Sequence, residues 1–204
     1  MNTLSAPRIH LRNNPSRQRG IGLVELAIAA AISIGIIVLA LQVVPELRAS
    51  GRADSEVKLL PKISANIQRL YSSQPAYPVT ANAIVTDGIK FNVYPKEYIE
   101  SPTALRNRWG GAITVTATAN QATIRYADVP NLECAEISTA LSGSFRDLRV
   151  LNQATVGTAV APAATDTMKN AQGRLDIAKM GTPGTAGRCT SVADVNTIDF
   201  IISK

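Results

Sequence analysis

The chain has 204 residues and a formal charge of +6, from 21 basic against 15 acidic residues. Four of the basic residues, Arg8, Arg12, Arg17 and Arg19, lie in an acid-free stretch of 20 residues, and without them the remainder carries 17 basic and 15 acidic residues, a net of +2. A length like this suits one domain of ordinary size plus extra segments, and so even a charge balance on the rest argues against a basic surface for nucleic acid.

Residues 1–20 end in Arg19-Gly20, and an apolar run opens at Ile21 and continues to Val44 with Glu25 as its one charge. As a helix these residues span roughly 36 Å, enough to cross a bilayer. The arginines ahead of the run act as a positive-inside signal that holds that end in the cytoplasm. Ala27-Ile28-Ala29 could pass for a small-residue signal cleavage site, but Glu25 would then interrupt an apolar core that is already very short. A carboxylate near the end of a membrane helix costs up to a few kcal/mol, less where it reaches the interface. Glu25 is therefore either a tolerated interfacial acid or an acid with a partner.

The sequence Arg19-Gly20-Ile21-Gly22-Leu23-Val24-Glu25, a basic segment ending in Gly before an apolar helix with an acid at its fifth position, resembles the processing site of type IV prepilins. The resemblance implies that a prepilin peptidase cuts between Gly20 and Ile21, removes residues 1–20 as a leader and frees the amine of Ile21, which is then N-methylated. It also implies a role for Glu25. In these pilins the matching acid pairs with the N-terminal amine of a neighbouring subunit, so that two groups costly alone in an apolar filament core neutralise each other. Glu25 would then dock the subunit and set its register. The long leader, and Ile rather than Phe as the first mature residue, point toward the type IVb subclass.

The helical pattern continues beyond the apolar run. Leu47, Ala53, Val57, Leu60, Ile63, Ile67 and Leu70 recur mostly at three- and four-residue steps, which marks one apolar face. Arg48, Arg52, Asp54, Lys58, Lys62 and Arg69 fill much of the remainder. The spacing predicts one helix from about 21 to 73, with residues 21–44 as a transmembrane or filament-core segment and 45–74 as its amphipathic continuation. Pro45 and Pro61 remove amide donors and clash with the preceding turn, so each is a kink candidate. Pilin helices carry a proline near the depth of Pro45, and the resemblance implies a locally melted stretch there in the filament. The plain alternative for Pro45 is a membrane-exit signal.

Residues 75–204 read as a globular head. Gln74-Pro75-Ala76-Tyr77-Pro78 forms a loop leaving the helix, and a short helix follows at 80–87, ended by Asp87-Gly88. Asn107-Arg108-Trp109-Gly110-Gly111 then leads into Ala112–Thr118, where Ile113, Val115 and Ala117 alternate with threonines as a half-buried strand. Asn120-Gln121 makes a turn, and Ala122, Ile124 and Tyr126 alternate in a second strand, giving a hairpin. Trp109 is expected against the long helix, with Gly110 and Gly111 allowing close backbone approach or positive φ. The Trp-Gly-Gly entry into a Thr-rich strand resembles type IVb pilins, including thin-pilus subunits of conjugative plasmids.

From Pro130 to Phe145 the pattern is helical, with Leu132, Ile137, Leu141 and Phe145 expected on one face and Cys134 in the first turn. Arg146–Leu151 reads as a strand. Residues 154–167 and 181–187, rich in Ala, Thr, Gly and Pro, read as surface loops flanking a possible strand at 173–179. Asn196–Ser203, with Thr197, Ile198, Phe200, Ile201 and Ile202, reads as a final strand.

The two cysteines, Cys134 and Cys189, both follow the membrane segment. An exported domain meets an oxidising compartment, where two cysteines usually pair; the alternative is two separate buried thiols. A bridge would close a loop of about 55 residues, worth roughly 4 kcal/mol in the chain-entropy account. Beside the resemblance, this segment looks like the disulfide-closed region that gives pilins their variable surface.

The one histidine, His10, lies in the expected leader, so no Ser–His, Cys–His or His-ligated metal site is expected in the mature chain. Two distant cysteines cannot make a Cys₄ zinc site, and no GxxxxGK[ST] loop occurs. Neither a cofactor, a metal, a catalytic residue nor a specific nucleic-acid partner is expected.

The expected fold is therefore α+β, a type IV pilin fold with a long N-terminal helix on an antiparallel sheet head and a disulfide-closed region. The resemblance implies a non-enzymatic filament subunit that enters the inner membrane as a precursor, meets the prepilin peptidase and the pilus assembly platform, and ends in an extracellular homopolymer serving adhesion, aggregation or conjugative mating. A minor pilin or a type II secretion pseudopilin is a second reading within the same class. A single-span anchored binding protein that never polymerises is a reading from another class.

Overall fold

The computed structural model describes residues 22–157, 161–163, 166–180 and 188–204. The chain divides into two units, one up to Val44 and one from Pro45 to Lys204. Helix α1, Leu23–Leu70, contributes to both and continues as a helix through Pro45 and Pro61.

In the first unit, α1 presents Val24, Leu26, Ile28, Ile32, Ile34, Ile36, Ile37, Val38, Leu39 and Leu41 to its surroundings. Val24–Leu41 has a mean hydropathy of 2.6, and none of it is buried within the chain. A helix that is apolar all round belongs in a bilayer or among like helices.

The second unit begins with the remainder of α1. Its buried positions are Ala53, Glu56, Leu60, Ile63, Ser64 and Ile67, with Tyr71 just beyond the helix end. Steps of three and four place them on one stripe. The chain then forms α2, Ala83–Lys90, a short 3₁₀ turn at Lys96–Tyr98, and strands β1, Ile99–Ser101, β2, Ala104–Arg106, β3, Ala112–Thr118, and β4, Gln121–Pro130. Helix α3, Asn131–Leu141, strand β5, Asp147–Asn152, a 3₁₀ turn at Ile177–Lys179, and β6, Val195–Ser203, complete it.

The strands make one antiparallel sheet in the order β1-β2-β3-β4-β6-β5. The last strand of the chain thus lies between β4 and β5. Register aligns Val115, Ile124, Phe200 and Leu148 in one row across β3, β4, β6 and β5, and Ile113, Tyr126, Ile198 and Val150 in the next. All eight side chains are buried. Because strand side chains alternate, the row between them points the other way; it is Thr114, Arg125, Asp199 and Arg149. The apolar rows join α1 and α3 in one core, in which Phe200 meets Tyr126 edge-on at 5.8 Å and Phe145 at 5.0 Å.

Several expectations need correction. α2 does not stop at Asp87-Gly88 but runs through to Lys90. Gly88 serves packing instead, since a Cβ there would lie 2.3 Å from the Tyr94 ring, while Asp87 accepts a hydrogen bond from the Tyr71 hydroxyl at 3.0 Å. In α3 the buried residues are Glu133, Cys134, Ile137, Ser138 and Leu141, and Leu132 is exposed. Two residues of helix turn Leu132 about 160° away from Cys134, so it cannot share the face of Cys134. Residues 173–179 do not form a strand. A tight turn at Asn170–Gly173, with Gly173 at φ 73°, returns the chain for a single bridge between Lys169 and Leu175, and a 3₁₀ turn follows.

Candidate functional site

The residues singled out by the sequence fall in two regions, and these lie in different units. In the first, Glu25 occupies the opening turn of α1, where its carboxylate accepts the Gly22 backbone N–H at 3.3 Å. An acid there suits the partial positive charge of a helix N-terminus. Among the described residues no cation pairs with it. Gly20 and Ile21 lie outside the described residues. Pro45 lies inside α1, at the start of the second unit.

In the second unit Cys134 and Cys189 form a disulfide with Cα atoms 5.5 Å apart, closing a loop across a separation of 55 residues. Cys134 is presented by the first turns of α3 and is fully buried; Cys189, with φ of 60°, reaches it from the segment before β6. A polar clasp lies beside the bridge. Asn131 accepts the Ser191 N–H at 3.0 Å and the Asn196 side-chain N–H at 2.7 Å, and donates to the Ser191 carbonyl at 3.1 Å and to Asp194 at 3.2 Å. The Ser191 hydroxyl donates to the Gln153 carbonyl. Gln153 and Asp128 exchange two hydrogen bonds of 3.0 Å, and Asp128 also accepts the Gly157 N–H at 2.8 Å. The junction of β4 with α3, the segment after β5 and the segment before β6 are thereby fixed to one another. They expose Leu132, Val156 and Val192, the last 99% accessible.

The segment from Asp166 to Met180 is held to the edge of the sheet beyond β5. Thr167 bridges to Arg149 and donates to Asp147 at 2.6 Å, the Met168 N–H donates to the Leu148 carbonyl at 2.7 Å, and Lys169 Nζ donates to the Phe145 carbonyl at 2.6 Å. Arg188 pairs with Asp166 at 2.7 Å. This part of the closed loop is therefore held both by its bonds to the sheet edge and by Met168 and Met180, which are buried in the core cluster.

The turn before β3 uses both glycines. Gly110 has φ of 88°, and a Cβ on Gly111 would sit 2.0 Å from the Ala127 carbonyl oxygen. Buried Asn107 organises the turn: its side-chain oxygen accepts the N–H groups of Trp109 at 3.0 Å and Gly111 at 2.9 Å, and its amide donates to the Ala127 carbonyl at 2.6 Å. Trp109 is half-buried against the core cluster, and the neighbouring Arg108 reaches Glu56 of α1 at 3.7 Å.

Sequence reasoning missed Glu56, a fully buried acid. Its position was nevertheless legible, three residues after Ala53 and four before Leu60, on the apolar face of α1. Among the described residues no three His, Cys, Asp or Glu side chains come together to hold a metal ion.

The PilS N terminal family matches residues 50–203. No curated protein matches the chain. Among solved structures, the type IVb pilin of Salmonella typhi is similar at 20% identity with a TM-score of 0.52, covering 72% of this chain and 97% of that one. TcpA, a type IV pilin from the El Tor biotype of Vibrio cholerae, is similar at 18% identity with a TM-score of 0.44, covering 74% of this chain and 98% of that one. The likeness to the Salmonella typhi protein is one of fold: a helix packed on an antiparallel sheet, here with the Cys134–Cys189 bridge.

Proposed function

Because this chain belongs to the PilS N-terminal family of type IV pilins, we propose that it polymerises into a type IVb pilus after peptidase cleavage between Gly20 and Ile21. The precursor sits in the inner membrane through residues 21–44, with the arginines of its leader inside. Cleavage frees the Ile21 amine, which is then methylated. The assembly platform draws the helix out of the bilayer into a bundle of like helices. The supporting observation is the first segment of α1, apolar on every face and exposed along all of Val24–Leu41. A surface of that kind has no place in water and finds one both in lipid and among copies of itself.

Glu25, at the start of this segment, takes the amine of a neighbouring subunit as its partner and so fixes the axial register. Pro45 is the point at which the helix yields when the bundle forms. The disulfide-closed region faces outward and meets other cells or surfaces, in adhesion, aggregation or mating. The chain performs no catalysis and takes no cofactor on this reading.

The experiment is intact mass and N-terminal sequencing of protein sheared from the cell surface. Mature protein beginning at N-methylated Ile21 in the sheared fraction is the expected result. Protein beginning at Met1 or after Ala29, or absent from that fraction, would overturn the reading and leave an anchored or secreted protein, or a pseudopilin held at the inner membrane.

A further inference from the structure

The second unit encloses a carboxylate that filament assembly does not use. Glu56 is fully buried on α1, and neither of its oxygens makes a hydrogen bond. It is faced by Tyr98 from the 3₁₀ turn, Tyr126 from β4 and Arg108 from the turn before β3. The hydroxyls of Tyr98 and Tyr126 are buried and likewise unbonded. Three polar groups from three elements thus converge on one enclosed point at the seam between helix and sheet.

The single cation is shared. Arg108 approaches Glu56 with Nε at 3.7 Å, while its Nη2 pairs with Glu97, an exposed acid. Its guanidinium is one-third exposed, so it lies at the boundary between this point and solvent. Tyr94 adds a further phenol behind Tyr126. On the other side, α3 brings Glu133 and Glu136 toward Asp54 of α1.

We propose that Glu56 is a proton-operated latch: with its proton it seats α1 against Tyr98 and Tyr126, and on losing it the seam between helix and sheet loosens. A neutral carboxyl is both donor and acceptor and can satisfy the two phenols, whereas the ion must be held in an apolar enclosure with one shared arginine. Ionisation draws Arg108 inward and away from Glu97, giving the latch a second position.

Burial raises the Glu56 pKa above its ordinary value of 4.5, against smaller opposing effects of Tyr98, Arg108 and Tyr126. An acid with a raised folded pKa binds its proton more tightly in the folded state. Its stabilising contribution is complete below the unfolded value and is lost as pH rises through the folded one. Within that window a single proton changes the folded-to-open ratio by up to about tenfold per pH unit. Glu136 is also raised, by burial and then by Asp54 and Glu133, so the Glu56 effect is read as a difference between variants.

The test is backbone hydrogen exchange of the full chain in nonionic detergent micelles, from about pH 5 to about pH 8, corrected for intrinsic rates and followed over 53–67 and 122–130. Wild-type protection in both segments should fall with rising pH, and Glu56→Gln should remove most of the fall. Arg108→Gln, which takes away the ion's cation, should steepen it. The infrared band of a carboxyl that keeps its proton above the ordinary value of 4.5 should be lost in Glu56→Gln. Protection independent of pH in the wild type, or an unaltered fall in Glu56→Gln, would overturn the latch. Should Glu56→Gln not fold, an unaltered fall in Arg108→Gln would do the same.

Discussion

Gly111 lies so close to Ala127 that a single added methyl would stand 2.0 Å from the Ala127 carbonyl oxygen and 2.6 Å from its carbon. The obstacle is backbone of β4, at the bulge where its register with β6 shifts, and it is further tied down by the Asn107 amide. Gly111→Ala should therefore destabilise the head by about 1–3 kcal/mol or more, as overpacking against immobile atoms does. Denaturant unfolding measures it. Gly143→Ala, where nothing lies within 4 Å, should change stability little in the same assay.

Asp199 of β6 is almost completely buried and holds Arg125 of β4 through two hydrogen bonds of 2.7 Å. Arg149 of β5 stands on its other side in the same row. Replacing Asp199 with Asn keeps the shape but takes the buried anion away from Arg125, while Arg149 keeps Asp147 at 3.7 Å. A loss of about 1–3 kcal/mol is expected, discounted because Arg125 reaches solvent. A double-mutant cycle with Arg125→Met measures the coupling directly; additive single effects would show that the pair contributes nothing.

The Cys134–Cys189 bridge closes 55 residues, a loop whose closure is worth about 4 kcal/mol in the chain-entropy account. Replacing both cysteines with serine should lower the thermal midpoint strongly. The clasp of Asn131, Ser191 and Asn196 joins the same two segments independently. Adding Asn131→Ala to the double serine variant should then release 188–194 to rapid hydrogen exchange while β3 stays protected.

Glu25→Ala should leave cleavage between Gly20 and Ile21 intact and abolish filaments. The acid is outside the residues that the peptidase cuts, but it is the sole charge in the apolar segment. Electron microscopy of sheared material, with mass spectrometry of the membrane fraction, checks both halves. Normal piliation in this variant would defeat the docking role.

Much of this architecture was readable before folding because it rests on periodicity. Three- and four-residue steps from Ala53 to Ile67 named the buried stripe of α1, and Ile113, Val115 and Ala117 named β3 to the residue. The Cys134–Cys189 pairing followed from compartment and count. What escaped has no period to show. β1 and β2 have three residues each, too few for alternation to emerge, and their existence depends on the neighbouring β3. Asp87-Gly88 looked like a helix stop because Gly favours such ends, yet the ring of Tyr94, six residues on, needed that empty space. Leu132 misled for the opposite reason: an apolar type suggested burial, while its angle on α3 dictated exposure. Glu56 fell on the apolar stripe by position and off it by chemistry, and the phenols that face it come from distant segments.

The order of strands carries a consequence for biogenesis. β6 is made after both β4 and β5, yet it is their common neighbour, and its Ile198, Phe200 and Ile202 belong to the core. Before these nine residues leave the ribosome, β5 has no partner among the named strands and β4 has only β3. Translation therefore delivers the apolar segment Val24–Leu41 long before the sheet can be completed. A chain that stops short of Val195 lacks the middle of the sheet rather than its fringe, and β4 and β5 are left with facing open edges.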